Sequence, residues 1–204
     1  MITIIDFGGS GNLRSVQKIF QEFQMKSIIS DKEDDINNAT ALVLPGVGSF
    51  GNAMNSLEER GFQKILQKEI QQKPTLCICL GMQLLFEKSE ETPEIQGLKI
   101  IKGQVRKLPS KKNIRIPHTG WNKIQPLRKP YFTGYGYFNH SYFCQPVSDV
   151  IIINYTLHGV RIPATILYRK ILATQFHPEK SQKTGLQIIR YWIKSIINQE
   201  EVEK

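Results

Sequence analysis

The sequence predicts an α/β protein with a central, mostly parallel sheet flanked by helices and a more antiparallel second half. Three observations carry this. Short buried-strand patterns alternate with helical patterns through roughly the first 90 residues, an order that favours parallel strands with helices on their faces. A strand, a sharp glycine-containing turn and a helix follow one another between Pro74 and Phe86. From about Gly97 onward, short strand-like runs alternate with Pro- and Gly-containing turns. At 204 residues and 40% hydrophobic composition the chain can bury one sizeable core, so residues 1–204 are expected to form a single domain.

Ile2 to Asp6 reads as a buried strand. Gly8-Gly9-Ser10-Gly11-Asn12 is a turn, and Leu13, Val16, Ile19, Phe20 and Phe23 mark an amphipathic helix. A glycine-rich turn between strand and helix suggests a phosphate loop, but its spacing matches neither the dinucleotide fingerprint nor the P-loop. Ser27 to Ile29 is a second strand, and Asp31 to Asn38 a polar surface segment. Ala41 to Leu44 is a third strand and runs into Pro45-Gly46-Val47-Gly48-Ser49-Phe50-Gly51. Three glycines in those seven residues, at the C-terminal edge of a strand, mark a ligand-facing loop whose N–H groups can be aimed at an anion. Helices cover Asn52 to Gln72.

The second half offers strand candidates at Lys99 to Ile101, Gln104 to Leu108, Ile151 to Tyr155, Arg161 to Leu167 and Ile171 to Phe176. Two aromatic-rich segments, 116–122 and 134–143, lie among them. A closing helix from about Thr184 to Asn198 presents Leu186, Ile189, Ile193, Ile196 and Ile197, and a charged tail from Glu200 to Lys204 is expected to fray.

Chemistry concentrates at Cys79. Pro74 stops the preceding helix, Thr75 to Cys79 is an apolar strand, and Met82, Leu85 and Phe86 then recur at helical spacing. This is the pattern of a nucleophile elbow with cysteine in place of serine. Such a turn exposes the sulfur at the end of the sheet and aims the next N–H, here that of Leu80, at a developing oxyanion. The start of the following helix favours the thiolate. Gly81 fits the close strand-to-helix packing the turn requires. Cys77, two residues earlier in the apolar run, reads as a core residue.

A thiol needs a base, and an imidazole needs a carboxylate to fix its tautomer. Of His118, His140, His158 and His177, only His177 stands before Pro178 and Glu179. Pro178 keeps His177 extended, and residues two apart in an extended segment project to one side. Cys79, His177, Glu179 and the glycine loop together supply nucleophile, oriented base and oxyanion donors, the parts of an acyl-transfer site. His118 reads as structural or at a contact surface, His140 as a pocket-wall candidate and His158 as a turn residue. No His, Cys, Asp or Glu cluster has metal-ligand spacing, so neither metal nor cofactor is expected.

The formal charge is +9, and ten basic residues fall between Lys99 and Lys129, inside an acid-free stretch from Ile95 to Ser148. With no recognition helix, zinc-finger spacing or RNA-binding signature, this block suits an anionic substrate or an acidic partner surface better than nucleic acid. The plainer reading is a solvated face. No run approaches the roughly 20 apolar residues of a membrane span, and the N-terminus lacks an export pattern. Three cysteines make no disulfide framework. A cytoplasmic, reduced protein is the expectation.

Five segments stand in a telling order: Pro45-Gly-Val-Gly-Ser-Phe50, Cys79-Leu-Gly-Met-Gln-Leu-Leu-Phe86, Pro117-His-Thr-Gly-Trp-Asn122, His140-Ser-Tyr142 and Gln175-Phe-His-Pro-Glu-Lys-Ser181. Together they resemble the class I glutamine amidotransferases and, among these, the glutaminase subunits of imidazole glycerol phosphate synthase. The resemblance covers nearly the whole chain. It implies a class I glutamine amidotransferase fold in which Cys79 attacks the side-chain amide of glutamine while His177, oriented by Glu179, handles the protons. It further implies an oxyanion hole at Val47, Gly48 and Leu80, and substrate contacts from Gln83, His140, Ser141 and Tyr142. Ammonia would pass to a (β/α)8-barrel cyclase subunit in a heterodimer, with Asn12, Trp121, Tyr137 and Lys180 facing that partner. A paralogue that feeds a different synthase, such as one amidating a bacterial surface sugar, would share these motifs.

Overall fold

The computed structural model describes residues 1–8, 11–110, 112 and 114–198. Gly9 and Ser10 of the first turn and the tail from Glu200 to Lys204 lie outside the described residues. The first half runs β1 (Ile2–Ile5), α1 (Leu13–Glu22), β2 (Ser27–Ser30), α2 (Glu33–Asn37), β3 (Ala41–Leu44), α3 (Phe50–Glu59), α4 (Phe62–Gln72), β4 (Thr75–Ile78) and α5 (Leu80–Leu84). The second half runs β5 (Lys88–Ser89), β6 (Gly103–Lys107), β7 (His118–Pro126), β8 (Gly134–His140), β9 (Tyr142–Pro146), β10 (Ile152–Leu157), β11 (Arg161–Tyr168), β12 (Ile171–Thr174) and α6 (Gln182–Tyr191).

Nine strands form one sheet in the order β2-β1-β3-β4-β12-β11-β10-β7-β8. Pairing is parallel from β2 to β12 and antiparallel from β12 to β8. The expected change of character therefore falls in the middle of one continuous sheet. β5, β6 and β9 make a small second sheet.

Alternation along the parallel strands splits the core in two. Leu42, Leu44, Cys77 and Ala173 face one layer with α3, α4 and α5, while Val43, Leu76, Ile78 and Leu172 face the other with α1 and α6. The Asn12 side chain caps α1 by accepting from the Ser15 N–H at 3.1 Å. Burial of Val16, Ile19 and Phe20 then fixes the helix face, and Phe20 meets the fully buried Trp192 at 5.9 Å between ring centroids.

Two segments depart from the sequence expectation. The polar stretch 31–38 contains α2, because Ile36 is fully buried among α4 side chains and acidic residues in the first turn suit the positive helix end. Lys73 closes the other end, its Nζ donating to the carbonyls of Ile36 and Asn37 at 2.9 and 2.6 Å. Lys99 to Ile101 is not a strand. Its amides, with that of Leu98, donate to the carbonyls of Leu84, Leu85 and Phe86, so this apolar segment satisfies the end of the elbow helix instead of a ladder. The closing helix begins at Gln182 and continues from Trp192 to Ile197 as a π-helical turn.

Gly81 shows how closely the elbow packs on its neighbour. A Cβ there would lie 1.9 Å from the Leu44 carbonyl oxygen. Gly81→Ala is expected to destabilise the fold by about 3 kcal/mol, read as a lowered midpoint in urea unfolding. An unshifted midpoint would mean that the β3–α5 contact yields easily.

Candidate active site

The elbow forms because β4 is paired on both sides and must end abruptly where α5 begins. Cys79 sits between them at φ 53° and ψ −107°, a backbone conformation that favours glycine. Its N–H donates to the Thr174 carbonyl at 2.7 Å, extending the β4–β12 register by one residue. α5 is only five residues long, so its dipole is a smaller aid to the thiolate than a full helix would be.

The parallel pairing carries the base to the sulfur. His177 follows β12 by three residues and lines the same cavity as Cys79. His177 is extended, as the following proline requires, but Pro178–Lys180 close into a 3-10 turn. It is this turn, and not a continued strand, that folds Glu179 back so that its Oε1 lies 2.8 Å from His177 Nδ1. Both side chains are 6% exposed. Burial opposes charge on the imidazole, but the hydrogen bonds and charges of Cys79 and Glu179 outweigh it and raise the His177 pKa to about 10. Burial holds the Cys77 thiol far above its usual range, which agrees with its reading as a core residue.

The base is also anchored through its main chain. The His177 N–H donates to the Tyr137 carbonyl at 2.9 Å, and the Ser181 hydroxyl donates to the His177 carbonyl at 2.6 Å while accepting from the Tyr137 N–H at 3.0 Å. Strand β8 and His177 are thus tied together twice.

A cavity of about 290 Å³ opens over Cys79. Val47, Gly48, Leu80, Gln83, His140, Ser141, Tyr142 and His177 line it with Cys79, so the structure gathers the sequence-predicted site residues at one opening, with Glu179 behind His177. The glycine loop lies against the elbow, since a Cβ on Gly46 would meet the Leu80 Cβ at 3.0 Å. Glu91 also lines the cavity and accepts from the Phe50 N–H at 2.7 Å; sequence reasoning passed over it, and no local motif marks it.

One wall is a directed hydrogen-bond chain. The Tyr142 carbonyl can only accept, and His140 Nδ1 at 2.8 Å and Gln83 Nε2 at 3.0 Å both donate to it. His140 Nε2 must then accept, which makes His118 Nδ1 its donor at 3.0 Å and leaves His118 Nε2 to accept from Asn122 Nδ2 at 3.1 Å. Burial keeps both rings neutral, with pKa values lowered to about 4 for His118 and about 3 for His140. His118 is therefore structural, stacked between Phe138 and His158, and His140 is a wall residue.

Trp121, Tyr137 and Lys180 form a separate surface cluster. Trp121 is 50% exposed and meets Tyr137 edge-on at 5.9 Å, and Lys180 Nζ lies 5.3 Å from the Tyr137 ring centroid. Asn12 is engaged as the α1 cap. In the basic stretch, Arg106 pairs with Glu90 at 3.1 Å and Arg128 donates to the carbonyls of Asp149 and Ile152, so these two cations serve the fold. Among the described residues, no His, Cys, Asp or Glu group could hold a metal ion, and no helix is long and apolar enough to cross a membrane.

A family model, glutamine amidotransferase class-I, matches residues 3–194. The chain belongs to the class I glutamine amidotransferases. Within this family it is 41% identical over 206 residues to imidazole glycerol phosphate synthase subunit HisH 1 of Methanococcus maripaludis, covering 96% of this chain and 100% of that one. It is 43% identical over 197 residues to the HisH subunit of Caldanaerobacter subterraneus, covering 93% of this chain and 96% of that one. A solved structure described as a glutamine amidotransferase matches with a TM-score of 0.77 at 16% identity, over 97% of this chain and 98% of that one, a likeness that speaks for the fold. The resemblance read from the motifs thus holds down to the HisH branch, and this amidotransferase is an enzyme.

Two outcomes follow from this geometry. Cys79→Gly is expected to be more stable than Cys79→Ala by about 1 kcal/mol, because only glycine relieves the positive φ; thermal unfolding of the pair measures it. Both partners raise the His177 pKa, so Glu179→Gln should lower it and imidazolium should be lost at a lower pH than in the parent, as read from the ring protons by NMR. An unchanged titration would mean that Glu179 does not hold the charge of this imidazole.

Proposed function

We propose that the chain is the glutaminase subunit of an imidazole glycerol phosphate synthase in histidine biosynthesis, working in the cytoplasm. It hydrolyses glutamine to glutamate and ammonia at a Cys79–His177–Glu179 triad and delivers the ammonia to a (β/α)8-barrel cyclase subunit. The observation that carries the reading is the convergence of His177 and Glu179 on a strained, cavity-facing Cys79 in a chain with HisH relatives along nearly its full length.

In this mechanism the Cys79 thiolate attacks the side-chain carbonyl carbon of glutamine, and the carbonyl oxygen takes the displaced electron pair. The N–H groups of Leu80 and of the Val47–Gly48 loop receive that oxyanion. His177, as imidazolium, gives its proton to the departing nitrogen, so ammonia leaves and a γ-glutamyl thioester remains. The now neutral ring, its tautomer held by Glu179, takes a proton from water. The resulting hydroxide attacks the thioester, releasing glutamate and restoring the thiolate.

The cavity is near the small end of ligand pockets, as suits a free amino acid. Gln83 and the wall from His140 to Tyr142 would hold the substrate, and the Glu91 carboxylate supplies a counter-charge for its α-ammonium group. The exposed Trp121, with Tyr137, offers the aromatic anchors typical of an interface core, while Lys180 and Asn12 would contribute at the edge of the same partner surface.

Glutamate release, measured with and without a cyclase subunit and its ligand, tests the whole reading. Weak activity alone, strong stimulation by the cyclase and none in Cys79→Ala is the expected pattern. Activity that survives in Cys79→Ala would end the mechanism, and activity indifferent to the cyclase would move the assignment to a paralogue serving another acceptor.

A further inference from the structure

Gln175 is fully buried at the end of β12, two residues before the base, yet it does not line the cavity. Its side chain lies between two members of the site. Gln83 Nε2 is 3.4 Å from its Oε1, and its own Nε2 is 3.8 Å from Cys79 Sγ.

Which end of this amide faces the sulfur follows from its neighbours. The Tyr142 carbonyl accepts from Gln83, so the nitrogen of Gln83 must be the atom placed there. That nitrogen is also the atom nearest Gln175, where only an oxygen can accept from it. The remaining end of Gln175 is then its NH₂, directed at Cys79 Sγ. Flipping Gln175 would set two N–H donors against each other and turn a carbonyl oxygen toward an anionic sulfur, in a place sealed from water.

We propose that Gln175 is a further catalytic residue of this site: its buried amide N–H donates to the Cys79 sulfur and selects the thiolate over the thiol. The assignment rests on the reading of Cys79 as the nucleophile. A thiol gains little from a second donor, whereas a thiolate gains a charge-assisted hydrogen bond. His177 and Gln175 thus address the sulfur as two separate donors, one that transfers a proton during turnover and one that cannot. The fixed donor matters here because α5 is too short to supply much dipole field. It also keeps a polar contact on the sulfur in the γ-glutamyl thioester, while the imidazole is neutral and has not yet taken the proton of the attacking water.

The test is the pH dependence of Cys79 alkylation by iodoacetamide in the full chain, followed by peptide mass spectrometry. It reads the thiolate directly and needs neither glutamine nor a partner. Gln175→Met removes the donor, and Gln175→Glu keeps the shape but places a carboxylate at the sulfur. The alkylation midpoint is expected to rise by about one pH unit in Gln175→Met and by more in Gln175→Glu. Glutamate release at pH 7 with the cyclase present should fall about tenfold in kcat for Gln175→Met, with KM nearly unchanged because the residue lies outside the cavity. A packing role predicts the reverse order, with the isosteric Gln175→Glu the milder change, and would overturn the proposal, as would unshifted midpoints in both variants. Should Gln175→Met fail to fold, Gln175→Leu replaces it as the variant without a donor. A wild-type protein that alkylates at Cys79 but never hydrolyses glutamine would sink the glutaminase reading, an outcome distinct from a null result at Gln175.

Discussion

The parallel ladder between β4 and β12 is the constraint on which the site depends. It places Ala173 opposite Cys77 and Thr174 opposite Ile78, and the Cys79 N–H closes it on the Thr174 carbonyl. Gln175, His177 and, behind the imidazole, Glu179 then follow within five residues of one strand end. A slip of one residue would exchange the two faces of β12, sending Phe176 to the sulfur and the histidine into the hydrophobic layer. The two core layers forbid this, because Leu172 and Phe176 are buried with α1 and α6 while Ile171 and Ala173 are buried with α3 to α5. Hydrophobic sorting across the sheet thus sets the geometry of the reacting groups.

Polar order is imposed on this frame by a backbone acceptor. One carbonyl, that of Tyr142, fixes the orientation of Gln83 on one side and the tautomer of His140 on the other. From there the sense of each hydrogen bond is forced outward to His118 and Asn122, and inward to Gln175. Neutral, buried rings keep the outward branch from titrating near pH 7. In contrast to these two rings, His177 has its charge favoured by Cys79 and Glu179.

Much of this was legible in the sequence. Pro74, Cys79, Gly81 and the apolar pattern around them specify an elbow, and Pro178 holds His177 extended, although the 3-10 turn that returns Glu179 was not legible. The parallel half was legible too, because its strands are short apolar runs separated by helical patterns. What escaped was decided by contacts distant along the chain. α2 exists because Ile36 finds a core and Lys73 caps its carbonyls, neither of which a run of acids reveals. Lys99 to Ile101 has strand composition, yet its amides are claimed by the end of α5. The aromatic segments turned out to be the paired strands β7 and β8, with Trp121 opposite Tyr137 and His118 opposite His140. Glu91 and Gln175 carry no signature of their own, and only the folded chain sets them beside the cavity and the sulfur.

The double tie between β8 and His177 makes the position of the imidazole a property of an outer strand as well as of its own segment. Tyr137 offers its carbonyl to the base on one edge and its ring, with Trp121, to the solvent on the other. One residue thus joins the histidine over the cavity to the exposed aromatic surface, its main chain serving the first and its ring the second.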